Sequence, residues 1–211
     1  MKMTHDQAPM TPDVAGAEAR QAIGRNLVVV SGPSGAGKTT VTRTLPERLG
    51  LTLSVSATTR APRRGEKEGV DYYFITPREF QERIGENRFV EWAEVFGHRY
   101  GTPVEELERA RREGKMLLLE IDVQGGIQIK KKFPEALAIL LLAPGPEVLR
   151  QRLSHRGTER PEEVERRFAK AQEEIALARR AGCYDVEVVN DRLAETVDRV
   201  VSLIQSRRKQ A

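Results

Sequence analysis

A single cysteine, Cys183, stands in a chain of 211 residues, which excludes an internal disulfide and any metal site built from several thiolates. A lone thiol fits a reducing compartment. Long apolar runs are missing too. The longest, ALAILLLA at 136–143, is too short to span a bilayer and fits a buried strand. The opening residues, MKMTHDQAPMTPDVAGAEAR, contain no apolar h-region, so a secretory leader is not expected. Charge of one sign is scarce: 35 Lys and Arg face 31 Asp and Glu, and the net +4 is too weak to argue for nucleic acid. Internal repeats and low-complexity tracts are absent. Residues 1–24 carry Pro9, Pro12, Gly16 and Gly24 and little bulk, and read as a flexible extension. The expectation is a cytoplasmic protein that engages neither a membrane nor nucleic acid.

The remainder is globular in character, 39% hydrophobic and 31% charged, and long enough for one domain with a substantial core. Short apolar runs at 26–32, 51–59, 70–75, 115–123, 136–144 and 184–190 predict strands, and 89–101 a strand and turn. Between them, 38–50, 77–87, 103–114, 125–134, 146–157, 161–182 and 193–210 predict helices. Continuous apolar strands alternating with helices imply a three-layer α/β/α domain around a mainly parallel sheet.

Chemistry enters with GPSGAGKTT at 32–40, which satisfies G-x-x-x-x-G-K-[ST] between an apolar strand and a helix. Gly32, Gly35 and Gly37 let the backbone curl until its N–H groups face an anion, with Pro33, Ser34, Ala36 and Thr40 completing the loop. Lys38 can bridge the β- and γ-phosphates of a nucleoside triphosphate, and Thr39 can ligate Mg²⁺. In LLLEIDVQGG (117–126), Glu120 and Asp122 share one strand face. Asp122 stands where a carboxylate would meet Mg²⁺ or its waters, and the spacing leaves open which acid serves the metal. A further stretch, TTRAPRRGEKEGVDYYF at 58–74, crowds four cations, adjacent threonines and two tyrosines into one segment. Guanidinium forks and phenols suit a phosphate monoester, a dianion at neutral pH.

Taken in order, SGPSGAGKTT, SVSATTRAPRRGEKEGVDYYF, FVEWAEVFGHRYGTP, LLLEIDVQGG, RLSHRGTE and VVNDRL make the chain, from about 25 to 207, resemble the guanylate kinases. The resemblance implies a P-loop fold with a small α+β insertion for GMP and a helical lid, and Mg²⁺-dependent transfer of phosphate from ATP to GMP. It divides the chain into a core (25–55, 103–145 and 183–207), a GMP-binding insertion (56–102) and a lid (146–182). Carried over by position, Ser56, Arg60, Arg63, Tyr72 and Tyr100 grip the 5′-phosphate of GMP. Glu91 reads the N1–H and N2–H₂ donors of guanine, Thr102 its O6, and Glu120 and Asp122 border the same ligand. Lys38, Arg60, Arg152, Arg156 and Arg167 form the catalytic set, the last three closing from the lid. Arg156 and Asn190 contact ATP, Asn190 at its adenine. Two alternatives remain. Non-catalytic scaffolds of this family tend to lose the P-loop lysine or the lid arginines, which are all here. A kinase acting on a sugar bisphosphate would need no carboxylate aimed at a purine edge.

Overall fold

The computed structural model describes residues 16–154 and 161–209. Its main sheet is made of strands apolar at nearly every position, because side chains alternate between two covered faces. In β1 (Leu27–Ser31), Leu27 and Val29 enter one buried cluster while Val28 and Val30 enter the opposite one. The same alternation runs through β7 (Leu117–Ile121): Leu117, Leu119 and Ile121 go one way and Leu118 the other. With β2 (Thr52–Leu53), β8 (Leu137–Leu142) and β9 (Val186–Val189), these form a five-stranded sheet in the order β2-β7-β1-β8-β9. All its pairings are parallel.

Helices cover both faces. On one, α2 (Lys38–Thr42), α3 (Leu45–Leu49) and α9 (Leu193–Arg208) supply Val41, Leu45, Leu49, Val197, Val200 and Ile204 to the core. On the other, α5 (Val104–Arg112) and α6 (Val123–Lys132) supply Val104, Ala110 and Ile129. Helix α8 (Pro161–Ala181) packs against α6 through Ile175, Ala178 and Ile127, and against α7 (Pro146–Ser154) through Ala171, Leu149 and Leu153. The expected three layers are present.

Three expectations need correction. The segment 38–50 is two short helices: Pro46 has no N–H to give the carbonyl of Thr42, so the first helix stops and α3 restarts with proline in its first turn. The run 51–59 is split between two sheets. After Ser54 bonds to the Leu118 carbonyl, the N–H of Val55 donates instead to the buried Glu106 carboxylate at 2.8 Å, which draws the chain off the main sheet. Finally, residues 17–24 do not extend freely. AEARQAIGR forms helix α1 (Ala17–Arg25) from strong helix formers, and Ile23 at its end packs against the cluster of Phe133 and Ala136.

The chain that leaves the main sheet builds a second one, β4-β3-β6-β5, from β3 (Ala57–Thr58), β4 (Tyr73–Phe74), β5 (Phe89–Val95) and β6 (His98–Pro103). Helix α4 (Pro77–Gly85), capped by the Thr76 hydroxyl, closes it by stacking Phe80 on Phe89 at 4.4 Å between ring centroids. The second sheet stands over the carboxyl ends of β1 and β7, where open α/β sheets hold their ligands.

Candidate active site

Loop 32–37 leaves β1 with backbone angles that only glycine adopts easily. Gly37 has φ +90°, and a Cβ there would stand 2.3 Å from Asn190 Nδ2; a Cβ on Gly32 would stand 2.2 Å from the Leu141 carbonyl oxygen. The loop is held from several sides. Asn190 Nδ2 donates to the Ala36 carbonyl at 2.9 Å, and Arg152 Nη2 to the Asn190 carbonyl at 2.8 Å. Arg167, only 8% exposed, donates from Nη2 to Ser34 Oγ at 2.8 Å. Lys38 Nζ arches back over the loop and donates to the carbonyls of Gly32 at 2.6 Å and Pro33 at 3.1 Å.

Of the two acids in LLLEIDVQGG, Glu120 is the one that meets Thr39. One carboxylate oxygen accepts from the Thr39 hydroxyl and the other from Thr42 Oγ1 at 2.6 Å. Asp122 is the N-cap of α6, its Oδ1 accepting the N–H groups of Gln124 at 2.6 Å and Gly125 at 3.0 Å, and it also lines the cleft that holds Glu91. The Thr39 and Glu120 oxygens at this lip are hard donors of the type Mg²⁺ prefers.

Glu91 is 3% exposed, and its Oε1 accepts from the N–H of Thr102 at 3.0 Å and from its hydroxyl at 2.7 Å. Burial, and secondarily the charge of Asp122, push its carboxyl up to about 7, against the lowering effect of the Thr102 donors. Tyr72 and Tyr100 meet edge to face at 5.9 Å. Arg60 lies 5.4 Å from the centroid of the Tyr72 ring and is held by Glu66 at 2.9 Å. Arg60 Nε and Arg152 Nη1 are buried without a hydrogen-bond partner among the described residues. Such donors favour acceptor oxygens from a ligand.

Two clefts meet over Lys38. One, of about 310 Å³, is lined by Ser56, Arg63, Tyr72, Glu91, Tyr100 and Asp122. The other, of about 460 Å³, is lined by the glycine loop, Thr39, Thr40, Arg152 and Asn190. Ser34, Lys38, Tyr72 and Glu120 border both, so a group in one can reach a group in the other across the lysine. Arg60 borders neither. Thr102 lies beneath Glu91, and Arg156 lies outside the described residues.

The model of the family described as guanylate kinase matches residues 24–207. The chain belongs to the guanylate kinase family. A curated guanylate kinase of Gloeobacter violaceus is 48% identical over 191 residues, spanning 90% of this chain and 91% of its own. One of Fusobacterium nucleatum is 44% identical over 180 residues, covering 85% of this chain and 96% of its own. The crystal structure of guanylate kinase from Anaplasma phagocytophilum superposes with a TM-score of 0.70 at 34% identity, over 85% of this chain and 84% of that one. In this guanylate kinase-family chain, the structure adds three residues that the motifs did not single out. A Cβ on Gly125 would stand 2.4 Å from Glu91 Oε2, so the glycine makes room for that carboxylate. The Tyr184 hydroxyl, its pKa raised by burial, bonds Ser31 Oγ at 2.8 Å and the Val123 carbonyl at 3.2 Å, tying the end of β1 to the start of α6. Glu174 enters the smaller cleft from α8. The doubled glycine of VQGG was a visible signal for the first; the other two depend on contacts distant in sequence.

Proposed function

We propose that the chain transfers the γ-phosphoryl group of ATP to GMP, giving ADP and GDP, the reaction of the family to which it belongs, with the roles below. The observation that carries the reading is Glu91: a buried carboxylate, fixed through one oxygen by both donors of Thr102, in a cleft that also presents Arg63 and two phenols. Guanine offers N1–H and N2–H₂ side by side, and a carboxylate accepts both. Adenine lacks that pair and would leave the second carboxylate oxygen buried without donors. Ser56, Arg63, Tyr72 and Tyr100 take the 5′-phosphate, with Arg60 supporting Tyr72 and adding positive charge. Thr102, expected to donate to O6, instead gives both its donors to Glu91 and fixes that carboxylate.

In the larger cleft, the backbone from Gly32 to Thr40 cradles the phosphates of ATP and Asn190 borders the adenine. Thr39 and Glu120 are the residues that would hold Mg²⁺, which when bound neutralises charge on the β- and γ-phosphates. Lys38 lies between donor and acceptor. Arg152 and Arg167, which line the two clefts, serve the transferred group, with Arg156 assigned to the same role from its motif alone, because developing charge there is the main target for stabilisation. No proton-abstracting base is required, because the attacking phosphate oxygen is already anionic. Residues 56–102 and 146–182 act as insertion and lid that close on the core and exclude water, which would otherwise accept the phosphoryl group. The single thiol and the requirement for ATP favour a cytoplasmic setting. A coupled assay of phosphoryl transfer should favour GMP over AMP, UMP and ribose 1,5-bisphosphate by about a hundredfold or more in kcat/KM. Preference for any of the other three would overturn the assignment.

A further inference from the structure

Ser56 and Tyr72 line the acceptor cleft, and the residue next to each of them bonds to one buried group. That group is Glu106 of α5, 2% exposed. Its Oε2 accepts from the N–H of Val55, one residue before Ser56, at 2.8 Å. Its Oε1 accepts from the hydroxyl of Tyr73, one residue after Tyr72, at a longer 3.4 Å. Arg109, three positions along the same helix, donates from Nη2 to Glu106 Oε2 at 2.5 Å and to the Leu53 carbonyl at 2.7 Å, which secures the end of β2 as well. The two segments are also tied to each other, because the Tyr73 N–H donates to the Ser56 carbonyl at 2.9 Å. Helix α5 is fixed to the core by Val104 and Ala110, which pack in the cluster that holds Val29 and Leu119. A buried N–H without an acceptor is costly, so the carboxylate dictates, from the core, where Val55 sits.

We infer that Glu106 is a positioning residue for the acceptor: through Val55 and Tyr73 it sets where Ser56 and Tyr72 stand relative to the core, and so where the 5′-phosphate of GMP is held. Glu106 itself lines neither cleft. Groups that grip a ligand need placement to within about 0.5 Å, and a carboxylate bonded to both segments supplies it. The inference rests on the reading of that cleft as the GMP site.

The test sets Glu106→Ala against Glu106→Gln, with Kd for GMP and for ATP measured by calorimetry at a temperature where each variant is folded. Alanine removes both acceptors, so Kd for GMP should rise about tenfold while Kd for ATP stays within about twofold. Glutamine keeps the length and an acceptor for Val55, and its NH₂ can turn to the Tyr73 hydroxyl, so Kd for GMP should return to within about threefold of the parent. A purely structural role lowers Tm but leaves the two affinities of the folded protein unchanged or weakens them equally. Either result overturns the inference, as does a glutamine variant no better than alanine. If alanine does not fold, hydrogen exchange on the parent decides. Coupling is reciprocal, so GMP should slow exchange of the Val55 N–H about tenfold, and an unchanged rate refutes the inference. A parent that binds no GMP defeats the proposed function and this inference together. A parent that binds GMP no better than its alanine variant defeats this inference alone.

Discussion

Replacing Glu91 by glutamine should separate guanine recognition from folding. In Glu91→Gln the side-chain volume is kept, and the amide oxygen can still accept the Thr102 N–H and hydroxyl that now bond Oε1 at 3.0 and 2.7 Å. The amide NH₂ then points where the second carboxylate oxygen was, donor against the donors of guanine. Losing two hydrogen bonds to a charged acceptor costs about 3–5 kcal/mol. The expected fall in kcat/KM for GMP is therefore about 10²–10⁴-fold, with ATP affinity little changed. Stability should move the opposite way. The Glu91 carboxyl is raised from 4.5 to about 7 by burial and Asp122. With the folded pKa above the unfolded one, its contribution is fully present below about pH 4.5 and is lost as pH climbs through about 7. Above that, keeping the ionised group buried costs the fold about 3 kcal/mol. Glu91→Gln should thus raise Tm at pH 8 and much less at pH 5. Steady-state kinetics with GMP varied at saturating ATP, together with melting curves at the two pH values, measure both effects. GMP kinetics within threefold of the parent, or an equal Tm gain at both pH values, would refute the reasoning.

Gly125→Ala puts a methyl 2.4 Å from Glu91 Oε2 and must displace that carboxylate, so KM for GMP should rise about tenfold or more while KM for ATP holds; an unchanged GMP KM contradicts the steric argument. Gly37→Ala forces alanine to φ +90° and drives its Cβ to 2.3 Å from Asn190 Nδ2. It should cost about 1–2 kcal/mol of stability from the backbone alone and weaken ATP binding about tenfold, as read by melting and calorimetry. Arg167→Ala should lower kcat about a thousandfold in single-turnover assays if the guanidinium meets the transferred group, and a loss under tenfold would remove it from that role.

Local rules determined much of this protein before any coordinates. Apolar alternation in Leu27–Ser31 and Leu117–Ile121 marks strands covered on both faces, because neighbouring side chains must point oppositely. Gly32 and Gly37 mark a loop whose angles the other residues resist, and Lys38 and Thr39 follow within the same few residues. What only tertiary structure decided concerns groups that meet across long separations. Glu106 takes the N–H of Val55 and splits one expected strand into two. Glu120, rather than Asp122, reaches Thr39. Asp122 caps α6 through the N–H groups of Gln124 and Gly125, a role that the sequence reading did not assign to it. Glu91 acquires its perturbed carboxyl only when the second sheet buries it, and Glu174 joins Ser34 and Lys38 in lining one cleft only because α8 folds back over the loop. The division has one physical cause. Backbone preferences and periodicity act over a few residues and are written in the order of the chain, whereas burial and charge pairing depend on which distant residues the fold brings together.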